Sequence, residues 1–266
     1  MILITGGKGE VGSNLAKIFE KNGSSVLLTS RKEIGSNFIN WDMNKKFELG
    51  EIGTIDAIVH CAFDFTSISG EMNIVGANSV AEYATAKNIP MINISTVLAE
   101  FDKSKYGKLK KKIEKIVNRH DQFNLRIGVI SSNPPISNIG RLQYLAVKLR
   151  LFLFPGLSTY VFETRLDSLA EVISVLIENK DNFKEKNFYV ISPIKRKLSE
   201  VLRDSINEST RVIYLINFPI SIAVWLTQLV SVFLPKFRKI SDSLRGNQLL
   251  SKKNDFTLEE GWRLFD

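Results

Sequence analysis

The side chains best suited to acid–base chemistry in this sequence are a tyrosine and a lysine that lie four residues apart. Tyr106 and Lys110 belong to the segment "YGKLK", and on a helix this spacing puts both side chains on one face. A free phenol has a pKa near ~10 and exchanges protons poorly at neutral pH. A nearby ammonium group favours the phenolate and lowers that pKa. The pair is therefore predicted to transfer protons; the alternative is a surface tyrosine on a solvated, lysine-rich helix.

Hydroxyl groups just upstream can complete such a site. Ser95 and Thr96 end the strand-like run "PMINIST". A hydroxyl group at that position can hold the carbonyl oxygen of a substrate while the phenol exchanges its proton. The two strand-end hydroxyls are therefore candidates for substrate orientation.

A glycine-rich stretch near the amino terminus has the spacing of a phosphate-binding turn. In "TGGKGEVG", Thr5 to Gly12, glycine recurs at every third position. The apolar run "MILI" precedes it, and the helical pattern "SNLAKIFEKNG" follows. Glycine lets a ligand come close to the backbone, and a helix amino terminus offers free N–H groups to an anion. This context predicts a pyrophosphate seat for a dinucleotide; the alternative is a turn that binds nothing.

Strand-like and helical runs alternate along much of the chain. Buried parallel strands are predicted at "MILI", "SSVLLTS", "IDAIVHCAF", "PMINIST" and "FNLRIGVI". Helices are predicted at Ser13–Asn22, Asn73–Lys87 and Lys108–Arg119, and "LDSLAEVISVLIEN" and "NFYVIS" predict a later helix and strand. The alternation predicts an α/β fold with a doubly wound parallel sheet of the Rossmann type.

The segment "NPP" at 133–135 ends this regular pattern. Residues 1–133 are therefore predicted to form a dinucleotide-binding core. Residues 134–266 are predicted to complete the core, through about 160–195, and to form a small carboxyl-terminal substrate lobe.

The sequence resembles the short-chain dehydrogenase/reductase superfamily, in particular its extended branch of nucleotide-sugar epimerases, dehydratases and reductases. The resemblance covers roughly residues 1–200. It is carried by "TGGKGEVG", "WDM", "DAIVHCA", "NIVGANSVAEYA", "IST", "YGKLK", "LRIGVISSNP" and "RLDSLAEVI".

The resemblance implies roles for particular residues. Tyr106 would be the proton donor or acceptor, Lys110 would tune it and bind the cofactor ribose, and Thr96, rather than Ser95, would orient the carbonyl group. Asp42 would contact adenine. The cofactor contacts implied are Thr5, Gly6, Gly9, Glu10, Val11, Gly12, Arg31, Asp42, Met43, Cys61, Ala62, Tyr106 and Lys110.

The cofactor is predicted to be NADP(H) rather than NAD(H). A cofactor with a free 2′-hydroxyl commonly meets an acid near the end of the second strand. Here that strand ends in "LLTSRKE", so Arg31 can pair with a 2′-phosphate, and Lys8 adds positive charge. If the second strand ends later than predicted, Glu33 is the candidate ribose ligand. The alternative for Arg31 is a solvent-facing loop residue.

The reaction type follows less directly from the residues. Dehydratases of this branch resemble "TDE" at the threonine, but Thr96 is followed by Val97 and Leu98, which disfavours dehydration. Only nine residues, 97–105, separate Thr96 from Tyr106, a shorter loop than is usual in the branch. We predict reduction of a keto nucleotide-sugar for surface polysaccharide. An epimerase of nucleotide-linked or lipid-linked sugars and a non-catalytic dinucleotide-binding or membrane-associated assembly protein are the alternatives.

Composition bounds the other partners. The chain has 266 residues and a formal net charge of +8, but its lysine clusters lack a base-stacking or recognition-helix motif, so no nucleic acid is expected. The single cysteine, Cys61, permits neither an internal disulfide nor a cysteine metal cluster, so no metal is predicted. His60 ends a buried strand and is expected to be structural. A cytoplasmic protein is predicted.

One carboxyl-terminal stretch is unusually apolar. Residues 212–234 carry no charge, and a basic group follows up to Lys239. The length suits a helix that is buried or faces a second subunit, one that lies at a membrane interface, or one that spans the membrane. A homodimer and peripheral contact with the inner face of the cell membrane through 212–239 are therefore expectations.

Overall fold

The structure is a computed structural model, and it describes residues 1–31, 35, 37–50, 52–65, 70–100, 104–131, 151–155, 160–204, 214–218 and 263–265.

A parallel sheet of eight strands forms the centre of the fold. Its order is β14-β11-β6-β5-β4-β1-β2-β3, and every neighbouring pair within it is parallel. The strands of this sheet are β1 (Ile2–Thr5), β2 (Val26–Ser30), β3 (Phe38–Asn40), β4 (Ala57–His60), β5 (Met91–Thr96), β6 (Phe123–Ile127), β11 (Asn187–Val190) and β14 (Arg263–Leu264). The chain runs outward from β1 in both directions, which is the doubly wound topology that the sequence predicts.

Helices cover both faces of the sheet. The helices are α1 (Glu10–Lys21), α2 (Glu71–Ala86), α3 (Lys105–Arg119), α4 (Leu166–Glu178) and α5 (Leu198–Asp204), and a 3₁₀ helix spans Val97–Glu100. The apolar sides of α1 and α4 pack in one core with the sheet, and those of α2 and α3 pack in a second core on the other face. The carboxyl ends of the parallel strands lie along one edge of the sheet, and ligands of such sheets bind at that edge.

The predicted helices are present, but the first three begin earlier than the sequence indicates. The third begins at Lys105 rather than Lys108, because the Ser104 side chain accepts a hydrogen bond from the Gly107 backbone and caps the helix. Tyr106 therefore lies in its first turn, inside the helix that also carries Lys110.

Short strand pairs lie outside the main sheet. They are β7 (Val129–Ser131) with β10 (Glu163–Arg165), β8 (Leu151–Pro155) with β13 (Tyr214–Phe218), and β9 (Tyr160–Val161) with β12 (Arg196–Lys197).

The apolar stretch 212–234 does not begin as a helix. Residues 214–218 form a strand that pairs in parallel with 151–155, so a helix over the whole stretch is wrong. Aromatic and β-branched residues such as those of "YLINF" suit a strand. The rest of the stretch lies outside the described residues. Among the residues that the structure describes, no helix is long and apolar enough to cross a membrane.

Candidate active site

The glycine loop is packed so tightly that side chains would not fit. Gly6 has φ +69°, and a Cβ there would lie 2.8 Å from the Ala62 backbone. The Gly9 N–H donates to the Gly6 carbonyl over 2.8 Å, and Gly9 caps the amino terminus of α1. A Cβ on Gly12 would lie 2.7 Å from the same carbonyl oxygen. The glycines thus let the loop pack closely on itself and on the segment after β4, with Gly9 at the amino terminus of α1.

The loop is joined to β4 by a buried threonine and histidine. Thr5 Oγ1 lies 2.8 Å from His60 Nδ1 and accepts a 3.3 Å hydrogen bond from the Ala62 N–H. Burial, and secondarily the charge of Lys110, lowers the pKa of His60 to about 3, so this imidazole is neutral at physiological pH. His60 thus fixes Thr5 and the start of the loop, consistent with the structural role expected of it.

The two strand-end hydroxyls have different surroundings. Ser95 Oγ donates to the Glu114 carboxylate inside the protein. Thr96 Oγ1 instead accepts a 3.3 Å hydrogen bond from the Leu98 N–H, which leaves its own hydrogen able to donate. The geometry therefore favours Thr96 over Ser95 as the group that orients a carbonyl.

The 3₁₀ helix Val97–Glu100 directly follows Thr96. Val97 and Leu98 of this helix are buried. A Cβ on Gly107 would overlap the Leu98 carbonyl oxygen, so the absence of a side chain lets the 3₁₀ helix pack on the first turn of α3. The nine-residue spacing thus brings the end of β5 against the turn that carries Tyr106.

The Tyr106 ring is enclosed by two phenylalanines that sequence reasoning did not single out. The Phe63 ring meets it edge to face at 5.1 Å between centroids, and the Phe65 ring stacks on it at 5.5 Å. Burial raises the pKa of Tyr106. The prediction that this pKa is lowered is therefore wrong, because burial removes water from the phenol.

Lys110 is buried beside the Phe63 ring. Its Nζ donates a 2.8 Å hydrogen bond to the Ile94 carbonyl and lies 4.7 Å from the centre of the Phe63 ring. Burial lowers the pKa of Lys110 to about 8, and Cys61 and Glu114 oppose that shift. The amine is thus held next to the carboxyl end of β5, where it can interact with a ligand hydroxyl.

A buried network of charged side chains includes Glu114 of α3, the helix that carries Tyr106 and Lys110. Glu114, four residues after Lys110, accepts from Arg126 Nη2 at 2.9 Å and Nε at 3.1 Å. Arg126 Nη1 also donates to the Tyr189 hydroxyl at 2.8 Å, which donates to Glu100 at 3.1 Å. Sequence reasoning did not single out Glu114, although its position four residues after Lys110 puts it on the helical face of Tyr106 and Lys110.

At the other end of the loop, Arg31 meets a carboxylate. Its Nη1 lies 3.7 Å from Asp64 Oδ2. Asp42 Oδ1 accepts from the Asn44 N–H at 3.0 Å, and the Met43 side chain is buried against Gly76 of α2. The predicted cofactor roles of Arg31, Asp42 and Met43 stay predictions, and Glu33 lies outside the described residues.

The remaining predicted contacts surround the loop. Glu10 and Val11 form the first turn of α1, and Cys61 and Ala62 follow β4. Burial raises the pKa of the Cys61 thiol to about 12, so it is an inert side chain rather than a nucleophile. Among the described residues, no group of three or more His, Cys, Asp or Glu side chains could hold a metal ion.

The chain is similar in sequence to a known protein family. The sequence model of the NAD dependent epimerase/dehydratase family matches residues 2–124, which include the glycine loop, Tyr106 and Lys110. The match covers the amino-terminal part of the chain and confirms the predicted resemblance to this family of enzymes.

Solved structures of epimerase/dehydratase-like proteins share the fold. UDP-N-acetylglucosamine 4-epimerase from Bacillus cereus has a TM-score of 0.64 at 16% identity, over 98% of this chain and 99% of that one. MoeE5 in complex with UDP-glucose and NAD has a TM-score of 0.63 at 15% identity, over 82% and 85%. A monomeric L-threonine 3-dehydrogenase from a metagenome database has a TM-score of 0.64 at 18% identity, over 82% and 85%. No curated protein sequence matches this chain.

These likenesses confirm the predicted fold class. They do not distinguish NADP(H) from NAD(H).

Proposed function

We propose that this protein is a nicotinamide-dinucleotide-dependent oxidoreductase that reduces a keto nucleotide-sugar with NADP(H). One observation carries the proposal. Phe63 contacts both Tyr106 and Lys110, and the residue before it, Ala62, packs on Gly6 and donates to Thr5. The acid–base pair therefore adjoins the glycine loop.

Each residue of the site has a definable task in this reaction. The bound dinucleotide would supply a hydride to the sugar carbonyl carbon. The glycine loop would bind the pyrophosphate, Thr96 would donate a hydrogen bond to the carbonyl oxygen, and Tyr106 would donate the proton to it. Lys110 would bind the ribose and hold the phenol. These groups would orient the substrate and exclude water from the reacting atoms.

Two features favour reduction. The enclosed Tyr106 is a neutral phenol, which is the form that donates a proton as a carbonyl is reduced. Arg31, at the end of β2, is the residue type that pairs with a 2′-phosphate.

Epimerisation of a nucleotide sugar is the second candidate. It is supported by the similarity to UDP-N-acetylglucosamine 4-epimerase over nearly the whole of both chains. An epimerase oxidises and then reduces the same substrate, so the dinucleotide is not consumed. A role in surface polysaccharide synthesis suits either reaction.

A turnover panel tests these proposals. We would incubate the protein with 4-keto sugar nucleotides, UDP-glucose and UDP-N-acetylglucosamine, each with NADPH or NADH, and include L-threonine with NAD. Loss of absorbance at 340 nm (the reduced nicotinamide band) with a keto sugar supports the reductase. A new sugar epimer without loss of absorbance supports the epimerase, and dinucleotide binding without turnover of any substrate would favour the non-catalytic alternative.

A further inference from the structure

Arg31 and Asp64 form an ion pair whose two side chains differ in their exposure to solvent. Arg31 Nη1 lies 3.7 Å from Asp64 Oδ2, and the side chains are 68% and 10% exposed. The carboxylate is thus largely enclosed, whereas most of the guanidinium side chain faces solvent.

The pair spans the carboxyl end of β1. Arg31 directly follows β2 and Asp64 lies four residues beyond β4, and these strands flank β1 on opposite sides. The glycine loop that leaves β1 contacts both flanks, because Gly6 N lies 3.4 Å from Thr29 Oγ1 and Gly6 packs on Ala62. The ion pair therefore lies beside the proposed pyrophosphate seat, on the β2 side, where a cofactor's adenosine ribose is read.

Asp64 is fixed by its backbone. Its N–H donates to Asn73 Oδ1 at 2.6 Å, and its carbonyl accepts from Asn73 Nδ2 at 2.9 Å. Asn73 is itself buried in the first turn of α2. A carboxylate held in this way can act on a ligand without first being ordered.

We propose that Asp64 determines the selectivity between NAD(H) and NADP(H), an inference that rests on the proposed function. A 2′-phosphate must compete with the Asp64 carboxylate for Arg31 and is repelled by it. A free 2′-hydroxyl can instead donate to that carboxylate, as it does to the acid at the end of the second strand in other dinucleotide folds. Asp64 thus supplies from β4 the acid that the β2 sequence lacks, and the wild-type protein accepts both dinucleotides.

Isosteric removal of the charge tests this role. Asp64→Asn should strengthen NADPH binding about twofold to fivefold, the range of a surface ion pair. It should weaken NADH binding by a similar factor, so the ratio of the two Kd values shifts about tenfold. Isothermal calorimetry with each dinucleotide measures this without a sugar substrate. Asp121→Asn is the matched control, because Asp121 pairs with Lys186 over the same 3.7 Å in the loop before β6, at the opposite edge of the sheet.

A double-mutant cycle separates the two effects of Asp64. In an Arg31→Gln background, Asp64→Asn should strengthen NADPH binding less than it does in the wild-type background, because only the direct repulsion is removed, and it should still weaken NADH binding. If the wild-type protein binds a dinucleotide and Asp64→Asn leaves the Kd ratio unchanged, the inference is overturned and the proposed function stands. If neither dinucleotide binds, the proposed function fails with it.

Discussion

The Lys110 ammonium group lies 4.7 Å from the centre of the Phe63 ring and donates a 2.8 Å hydrogen bond to the Ile94 carbonyl. This contact joins the segment after β4 to the helix that carries Tyr106. It also removes the amine from water, which lowers the pKa of Lys110 to about 8.

Lys110→Met should impair dinucleotide affinity and turnover together, since the amine would bind the ribose and hold the phenol. In the wild-type protein, affinity should fall as pH rises through about 8, where the ammonium group loses its proton. Calorimetric titrations at pH 7 and 9 measure this. An affinity that depends on pH equally in wild type and variant would contradict the assignment.

Tyr106→Phe should lower kcat by about 10²–10⁴-fold, the usual contribution of general acid–base help. The ring and its packing against Phe63 and Phe65 remain, so dinucleotide affinity should hardly change. Tyr83→Phe is the control, because Tyr83 also packs edge to face on a phenylalanine but lies on α2. Normal kcat in a chemistry-limited assay would exclude Tyr106 as the acid.

Gly9→Ala should weaken dinucleotide binding at least about tenfold while the fold persists. The added Cβ would lie 3.0 Å from the Gly6 carbonyl oxygen, at the helix terminus where the pyrophosphate would bind. Gly50→Ala adds the same atom where nothing lies within 4 Å. Calorimetry gives the affinity and circular dichroism the fold. Equal affinities for the two variants would place the cofactor elsewhere.

His60→Gln should make the protein less sensitive to acid. The pKa of His60 is about 3 in the folded protein and near 6.5 when unfolded, so the unfolded chain binds more protons between these values. Wild-type stability should therefore fall by up to about 1.4 kcal/mol per pH unit as pH drops from 6.5 towards 3. Urea unfolding from pH 7 to 4.5 compares the two slopes. Parallel slopes would refute the buried neutral imidazole.

Glu114→Gln should destabilise the fold by about 3–5 kcal/mol, because it leaves Arg126 buried without its charged partner. Replacing both groups, with Glu114→Leu and Arg126→Met together, should cost less than the single change. Urea midpoints of the three proteins measure this. A double variant less stable than Glu114→Gln would argue that the pair contributes net stability.

The fold class and the chain positions of the candidate site can be predicted from the sequence alone. Alternating apolar strands and amphipathic helices predict the doubly wound sheet because each element must bury its apolar face. The glycine spacing and the Tyr106–Lys110 interval are local patterns, so they could be read directly from the chain. Helix starts were less predictable, since the Ser104 cap depends on a single side-chain contact.

The electrostatic environment of that site depends on tertiary contacts, which no local sequence pattern shows. Phe63 and Phe65 meet Tyr106 across more than 40 positions of sequence, and their enclosure of its ring reverses the predicted direction of its pKa shift. Asp64 likewise meets Arg31 only because β4 and β2 flank β1. Burial and long-range pairing depend on which strands become neighbours, and strand order is not written in any local pattern.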